Sequence, residues 1–243
     1  MSSSGTTPQP ADVQARILAG TPMPPDWVPA ITELRLERLP LTDLRPLADL
    51  PALRGLFLNR CPVVDVAPLA RLTGLTRLSL KLTRVADIAP LASLNGLTSL
   101  VLSLTPIADI TPLAALVNLE SLYLTGAPVR DVAPLAGLRR LERLDLGGTD
   151  VTDIAPLSAL TGLRSLELAS TRVADITALS AMRGLEILDL GDTQVRDLSP
   201  LAGLPRLRRL DVRGTPATDL SAVPPGCEIV SARSFRRGPR PGQ

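Results

Sequence analysis

One aspartate recurs every 22 residues, without an insertion or a deletion, from Asp43 to Asp219. Leucine positions on both sides of it keep the same step, and the consensus L-x-x-L-x-L-x-x-T-x-V-x-D-I-x-P-L-x-x-L-x-x is found nine times. The positions between these residues vary freely. A fixed period of this length predicts a solenoid, because each unit can bury its apolar face only against its neighbours.

Each unit divides into a strand and a turn. The L-x-L segment, Leu34 and Leu36 in the first unit, alternates inward and outward side chains as a half-buried strand does. The segment D-I-x-P-L-x-x-L is too short for a full helix and predicts a 3₁₀-like or irregular turn. We therefore expect an α/β repeat solenoid in which nine parallel strands, centred near Leu34 to Leu36 and every 22 residues onward, form one sheet.

The polar positions of the consensus have structural explanations. The repeated aspartate is expected to accept a backbone N–H bond at the start of each turn, where the proline tolerates the lack of its own N–H. The threonine at the end of each strand, such as Thr105, is expected to bond backbone groups of the next coil. Cys61 and Ala127 occupy this threonine position, so Cys61 is interpreted as a small bend residue and not as a nucleophile.

The consensus resembles the short leucine-rich repeats of bacterial internalin-like proteins and of the leucine-rich regulatory subunit of a eukaryotic protein phosphatase, over about residues 31–231. This resemblance implies a right-handed horseshoe with a concave parallel sheet, 3₁₀ turns on the convex side, and binding through the concave face. Internalin-type adhesins also carry a signal peptide, an immunoglobulin-like domain and a wall anchor. The sequence shows none of these, so a surface-adhesin role is not expected.

The two ends differ from the repeats. Residues 1–30 are expected to contain a disordered start, a short capping helix over residues 11–19 that ends at Gly20, and a proline-rich loop in which Trp27 covers the first coil. Residues 31–231 are expected to form the solenoid. Residues 232–243 are polar, basic and rich in proline and glycine, so a disordered tail is expected there.

Composition excludes several classes of function. The chain has no histidine and no nucleophile or phosphate-binding motif, so we expect no enzyme, no cofactor and no metal. A net charge of +2 argues against nucleic-acid or membrane partners. Without a Sec-type signal or a long apolar run, a cytoplasmic monomer is expected. The alternative is an effector secreted without a Sec signal, because the start MSSSGTTPQP resembles type III secretion signals.

The candidate site is the position between the two strand leucines, whose side chains point to the concave face. Its candidate partner-binding residues are Arg35, Phe57, Val101, Tyr123, Asp145, Glu167, Asp189 and Asp211, and Ser79 completes the series. The two aromatic side chains are interpreted as interface anchors or, alternatively, as residues that a strand simply tolerates.

Four adjacent carboxylates at Asp145, Glu167, Asp189 and Asp211 are either a recognition surface or are compensated by neighbouring arginines. Those arginines are Arg143, Arg164, Arg208, Arg209 and Arg213. The hypothesis is a non-catalytic module that binds a protein with a basic segment through this face. The alternative is a carboxylate-lined surface for calcium.

Overall fold

The computed structural model describes residues 8–231, and the expected disorder of residues 1–7 and 232–243 lies outside this range. Within it, ten three-residue strands form one parallel sheet in sequential order. The strands are β1 Glu33–Arg35, β2 Gly55–Phe57, β3 Arg77–Ser79, β4 Ser99–Val101, β5 Ser121–Tyr123, β6 Arg143–Asp145, β7 Ser165–Glu167, β8 Ile187–Asp189, β9 Arg209–Asp211 and β10 Glu228–Val230. The α/β repeat solenoid predicted from the period is therefore confirmed.

The tenth strand departs from the 22-residue step. Each strand from β1 to β8 pairs in register with the residue 22 positions later, whereas Ile229 of β10 pairs with Leu210, 19 positions earlier. The consensus accounts for the first nine strands. The tenth, β10, forms in a unit that is three residues shorter. Ile229 is only half-buried, since no further coil covers it within the described residues.

The turns on the opposite side are short 3₁₀ segments, as expected. They span Val28–Ala30, Arg45–Leu47, Ala67–Arg71, Ala89–Ser93, Thr111–Ala115, Ala133–Leu135, Ala155–Ala159, Thr177–Ala181 and Ser199–Gly203. Proline lies in the first two positions of all of them except Thr177–Ala181. At the start of such a turn a backbone N–H has no partner within the turn, so proline, which lacks this group, is tolerated there. Aliphatic side chains fill the space between sheet and turns. In one central coil these are Leu97, Leu100, Leu102, Ile107, Ile110, Leu113 and Leu116, each at most 2% exposed.

Every repeated aspartate caps a turn. Asp131 Oδ1 accepts the N–H of Ala133 at 2.8 Å, and the other eight members of the series make the same bond at 2.7–2.9 Å. The hydrogen bonds from Thr111 and Thr177 hold the pKa of Asp109 and Asp175 below the usual carboxyl value. The constant 22-residue spacing of this aspartate within the chain is therefore a requirement of the fold.

The threonine prediction is wrong in its partner. Thr105 Oγ1 donates to the carbonyl of Leu102 in its own coil at 2.6 Å, and not to the next coil. The reason is the residue before it, Leu104, whose positive φ of 58° turns the chain back toward the strand end. Cys61 differs again, since its thiol lies 3.0 Å from the carbonyl oxygen of Leu36 in the preceding coil.

The N-terminal end of the sheet is covered by helix α1, Pro10–Ala19. Val13 and Ile17 of α1 are buried against the first coil, while Leu18 is 44% exposed. Gly20 ends the helix in the left-handed conformation at φ 66°, where its N–H bonds the last turn. Gln14 Nε2 donates to the carbonyl of Arg35, which satisfies an acceptor on the outer edge of β1.

Candidate functional site

The nine predicted outward positions form one continuous row across the concave face, which we call the concave row. Each is the third residue of its strand, and each pairs in register with the next member. Adjacent members therefore lie on strands about 4.8 Å apart. Arg35 and Glu167 are exposed, Ser79 and Asp211 are buried, and the others are half-buried: Phe57, Val101, Tyr123, Asp145 and Asp189.

The four carboxylates lie on consecutive strands, and we call them the carboxylate row: Asp145, Glu167, Asp189 and Asp211. Within residues 8–231, only Asp211 of this row is neutralised by an ion pair. The Arg213 side chain donates to both of its carboxylate oxygens, with contacts of 2.6–3.0 Å. Compensation by the neighbouring arginines thus accounts for one end of the carboxylate row.

The other arginines near the carboxylate row have different partners. Arg208 pairs with Glu186 at 2.8 Å, and Arg164 lies between Glu142 and Glu186 at 3.7 and 3.9 Å. These glutamates precede the strands and are not members of the concave row. In the described residues, neither Arg143 nor Arg209 forms an ion pair of 4.0 Å or less. Among these five arginines of the described chain, Arg213 alone forms an ion pair with the carboxylate row, while Arg209 acts on it through its charge, which lowers the pKa of Asp211.

Three of the carboxylates accept the backbone N–H two residues later, and for Asp211 the donor is Arg213 at 3.0 Å. Asp145 accepts the N–H of Gly147 at 2.9 Å and the hydroxyl of Thr125 at 2.6 Å, and Asp189 accepts the N–H of Gly191 at 2.8 Å. A Cβ atom on Gly147 or Gly191 would lie 3.3 or 3.1 Å from the respective carboxylate oxygen. The two glycines therefore allow these carboxylates to lie close to the sheet.

Glu167 is the carboxylate with unused acceptors. Within residues 8–231 its side chain makes no hydrogen bond or ion pair, and it is exposed. Partial burial, and then the negative charges of Asp145 and Asp189, raise its pKa. Burial also raises the pKa of Asp189, despite the N–H of Gly191. The centre of the carboxylate row is thus an electrostatically unfavourable arrangement that a cationic group would relieve.

Asp211 shows the opposite shift. Burial alone would raise its pKa, but the hydrogen bonds and charge of Arg213, with the charge of Arg209, outweigh burial and lower the pKa below the usual value. The row therefore ends in a neutralised pair. The members of the row with a raised pKa are Glu167 and Asp189.

The opposite end of the concave face is a basic and aromatic cluster. The Phe57 ring lies under the guanidinium groups of Arg35 and Arg77, 4.5 and 5.9 Å from its centroid. Glu33 pairs with both arginines, at 2.9 and 2.6 Å, and its contact with Arg77 passes over Gly55, where a Cβ would lie 3.2 Å from the Glu33 carboxylate. Phe57 is therefore covered by its own chain and is a poorer candidate anchor than the sequence suggests.

The sequence analysis missed this cluster because it did not consider the first residues of β1, β2 and β3 as part of the concave face. The first residue of each strand faces the same side as the third, which adds Glu33, Gly55, Arg77, Arg143 and Arg209 to the concave surface. The period of two along a strand was the available signal.

Tyr123 lies at the boundary between the two ends. It pairs in register with Val101 on one side and Asp145 on the other, and it is half-buried. Its hydroxyl forms no hydrogen bond within the described part of the chain, so it is available to a partner. An aromatic ring with a free hydroxyl beside an aliphatic side chain is typical of a protein interface.

A metal-binding role for the carboxylates finds no support in the geometry. In residues 8–231, no group of three His, Cys, Asp or Glu side chains is arranged to hold a metal ion. The same residues contain no helix that is long and apolar enough to cross a membrane.

Comparison with known proteins agrees with the repeat architecture. A sequence model described as leucine-rich repeats in two copies matches residues 139–181. No match is found among curated proteins. An internalin from Listeria monocytogenes shares 31% identity with a TM-score of 0.78, over 80% of this chain and 58% of its own length. The present chain thus spans little more than half of that internalin.

Two further solved structures are similar. Internalin C2 from Listeria monocytogenes shares 34% identity with a TM-score of 0.73, over 74% of this chain and 80% of its own. A leucine-rich-repeat protein from Leptospira interrogans shares 22% identity with a TM-score of 0.74, over 78% of this chain and 50% of its own, which shows a common fold alone. With this identity and coverage of internalin C2, and with the repeats and their geometry described above, the chain belongs to the leucine-rich-repeat family.

Proposed function

We propose that this chain is a non-catalytic protein-binding module whose concave sheet face binds a partner with a basic segment. The observation that carries the proposal is Glu167, an exposed carboxylate without a partner in the described residues, flanked by Asp145 and Asp189. Partial burial and then the charges of Asp145 and Asp189 raise the pKa of Glu167, and a lysine or arginine of a partner would pair with Glu167 and relieve this repulsion.

Tyr123 supplies the second contact. It lies one strand from Asp145 and two strands from Glu167, so the aromatic ring and the free carboxylate are about 10 Å apart across the sheet. A partner segment that crosses the strands would place an apolar side chain on Tyr123 and Val101 and a basic side chain a few residues away. The chain has no histidine, which favours binding over acid–base chemistry.

The test is a pull-down from the source organism's extract, followed by affinity measurements on the purified partner. Wild type is compared with the double variant Asp145→Arg/Asp189→Arg and with Tyr123→Ala. The matched control is Asp49→Arg/Glu120→Arg, which changes the net charge equally outside the strands. Thermal unfolding of every variant checks that the fold is intact.

The double variant should weaken binding strongly, and Tyr123→Ala should cost about 2 kcal/mol or more of binding free energy if the ring is a hot spot. The charge effect should decrease as salt rises, since exposed charges are screened over about 8 Å at physiological ionic strength. Equal affinity for wild type and both concave variants would contradict the proposal.

A further inference from the structure

The residue that follows each strand by three positions forms a second row, along the loop edge of the solenoid. We call it the edge row: Arg38, Arg60, Leu82, Leu104, Gly126, Gly148, Ser170, Asp192 and Gly214. All nine have positive φ, between 55° and 70°. The backbone ladder continues here, because Leu82 N–H bonds the Ser103 carbonyl at 3.0 Å and Leu104 N–H bonds that of Thr125 at 2.7 Å. Neighbouring members are therefore about 4.8 Å apart.

Two leucines in this row are unfavourable for the free protein in two respects. Leu82 and Leu104 both adopt φ 58°, a region that bulky side chains rarely occupy and that glycine fills at three other positions of the row. Their side chains are also 38% and 47% exposed. Strain and apolar exposure at the same two adjacent positions are typical of a binding surface.

The apolar character extends around the two leucines and then stops. Val64 is 59% exposed, and Pro106 and Pro128 are exposed on the same loops. The equivalent loop positions of later units are mostly polar, and the exceptions are Ala174 and Pro216; the polar residues include Asp150, Thr152, Arg172, Gln194 and Arg196. Within the described residues, the large exposed aliphatic side chains of this edge, Val64, Leu82 and Leu104, are thus confined to the second to fourth units.

Unpaired cations border this apolar part on one side. Arg38, Arg60, Lys81 and Arg84 are exposed, and within the described residues none of their side chains forms an ion pair or a hydrogen bond. Half-buried Glu37 is a nearby carboxylate. Elsewhere on the surface Arg45, Arg77, Arg208 and Arg213 are paired at 2.6–2.8 Å, whereas Arg143 and Arg209 form no ion pair of 4.0 Å or less within the described residues.

We infer that this edge is a second interaction surface, which binds an acidic protein segment carrying an apolar side chain. The carboxylates of the segment pair with Arg60, Lys81 and Arg84, and its apolar side chain packs on Leu82 and Leu104. From Arg38 to Leu104 the edge row spans three strand spacings, about 14 Å, so an extended segment of roughly four or five residues covers it. The inference stands apart from the concave-face proposal, since the required charge is opposite and the residues differ.

A protein segment fits this surface better than other anionic partners. Single-stranded nucleic acid would need aromatic side chains on which bases stack, and the edge residues include none. A membrane surface would favour tryptophan or tyrosine at the contact, which this edge also lacks. Both partners remain outcomes that the experiment separates.

The test uses synthetic five- to eight-residue peptides in which a leucine or phenylalanine follows an Asp-Glu pair by one to three positions. Fluorescence polarisation measures their affinity for wild type, for Leu82→Asn/Leu104→Asn and for Arg60→Glu/Arg84→Glu. Asparagine tolerates positive φ, so the first variant should keep its backbone. The matched control is Ser170→Asn/Arg172→Glu, which changes equivalent positions in a later unit.

We expect a subset of these peptides to bind, each edge variant to weaken binding at least tenfold, and the control to bind like wild type. Three outcomes would overturn the inference. One is that no peptide binds. Another is that peptides with lysine in place of the acidic pair, or with alanine in place of the apolar residue, bind equally well. The third is edge-dependent binding of a single-stranded DNA oligonucleotide or of phosphatidylserine vesicles that exceeds peptide binding.

Discussion

The side chain of Leu104 covers Gly126 in the next coil, so that a Cβ atom on Gly126 would lie 2.7 Å from Leu104 Cδ2. Gly126 also has φ 68°, and Gly148 one coil further has φ 65° with only ordinary 3.7 Å contacts around its Cβ position. Both glycines therefore need the left-handed backbone conformation, but only at Gly126 would a side chain also clash with a neighbour.

We expect Gly148→Ala to lower the free energy of unfolding by about 1–2 kcal/mol, the cost of a left-handed non-glycine residue. Gly126→Ala should cost more, because Leu104 must also move. In a Leu104→Ala background, Gly126→Ala should cost no more than Gly148→Ala. Urea unfolding of the single and double variants measures this difference in unfolding free energy. Equal costs for the two glycines in the wild-type background would contradict the steric part of this explanation.

The Asp131 cap predicts a stability effect without a binding effect. Asp131→Ala removes the acceptor for the Ala133 N–H and should lower the free energy of unfolding by about 0.5–2 kcal/mol. Asp131→Asn keeps a side-chain oxygen and should cost less. Because the turn lies on the convex side, partner affinity should not change. A loss of binding at unchanged melting temperature would show that this aspartate is a contact residue.

The carboxylate row predicts opposite pH effects at two positions. The pKa of Glu167 is raised, so the folded state holds this proton more tightly than the unfolded state, and stability from this group falls as pH rises above the ordinary value of 4.5. Glu167→Gln should therefore stabilise the protein at pH 7, by about 0.2–1 kcal/mol, and have little effect near pH 3.

Asp211 supplies the control with the reverse sign. The pKa of Asp211 is lowered, so the ionised carboxylate stabilises the folded state above the ordinary value of 3.8. This stabilisation is lost as pH falls through the folded-state pKa. Asp211→Asn should destabilise the protein at pH 7, and the difference should shrink in acid. Urea unfolding across this pH range measures both variants, and effects of the same sign would contradict the assigned charge environments.

The two cysteines should differ in reactivity. Cys61 is 1% exposed, and burial raises the pKa of its thiol, while Cys227 is half-buried with a pKa raised by burial and by Glu228. Iodoacetamide at pH 8 should modify Cys227 slowly and Cys61 only after unfolding in guanidinium, as followed by peptide mass spectrometry. Faster labelling of Cys61 in the folded protein would mean that the bend is open to solvent.

The inward half of this structure was predictable from the repeat, and the outward half was predictable only in part. Columns such as Leu100 and Asp131 are fixed because every coil must fill the same space and cap the same turn. The contact of Glu33 with Arg77 was not predictable from the repeat, because it joins residues 44 positions apart and depends on the absence of a side chain at Gly55.

The register of the outward positions was predictable from the sequence, whereas their charge pairing was not. Alternation placed Asp145, Glu167, Asp189 and Asp211 side by side. Which of them is neutralised depends on side-chain conformation, and in the described part of the chain only Arg213 forms an ion pair with the row. The backbone strain at Leu82 and Leu104 also could not be predicted from the hydrophobicity pattern, because it is visible only in the φ angles.

The uniform register has an evolutionary consequence. Because each strand from β1 to β8 pairs with the residue 22 positions later, unequal recombination between two units can remove or add one whole unit and restore every inward column, cap and backbone ladder. An equal deletion in a globular enzyme would remove part of its core. Here, loss of a unit between the leucine edge and the carboxylate row would bring those two surfaces about 4.8 Å closer together, which would change the partner spacing while the fold persists.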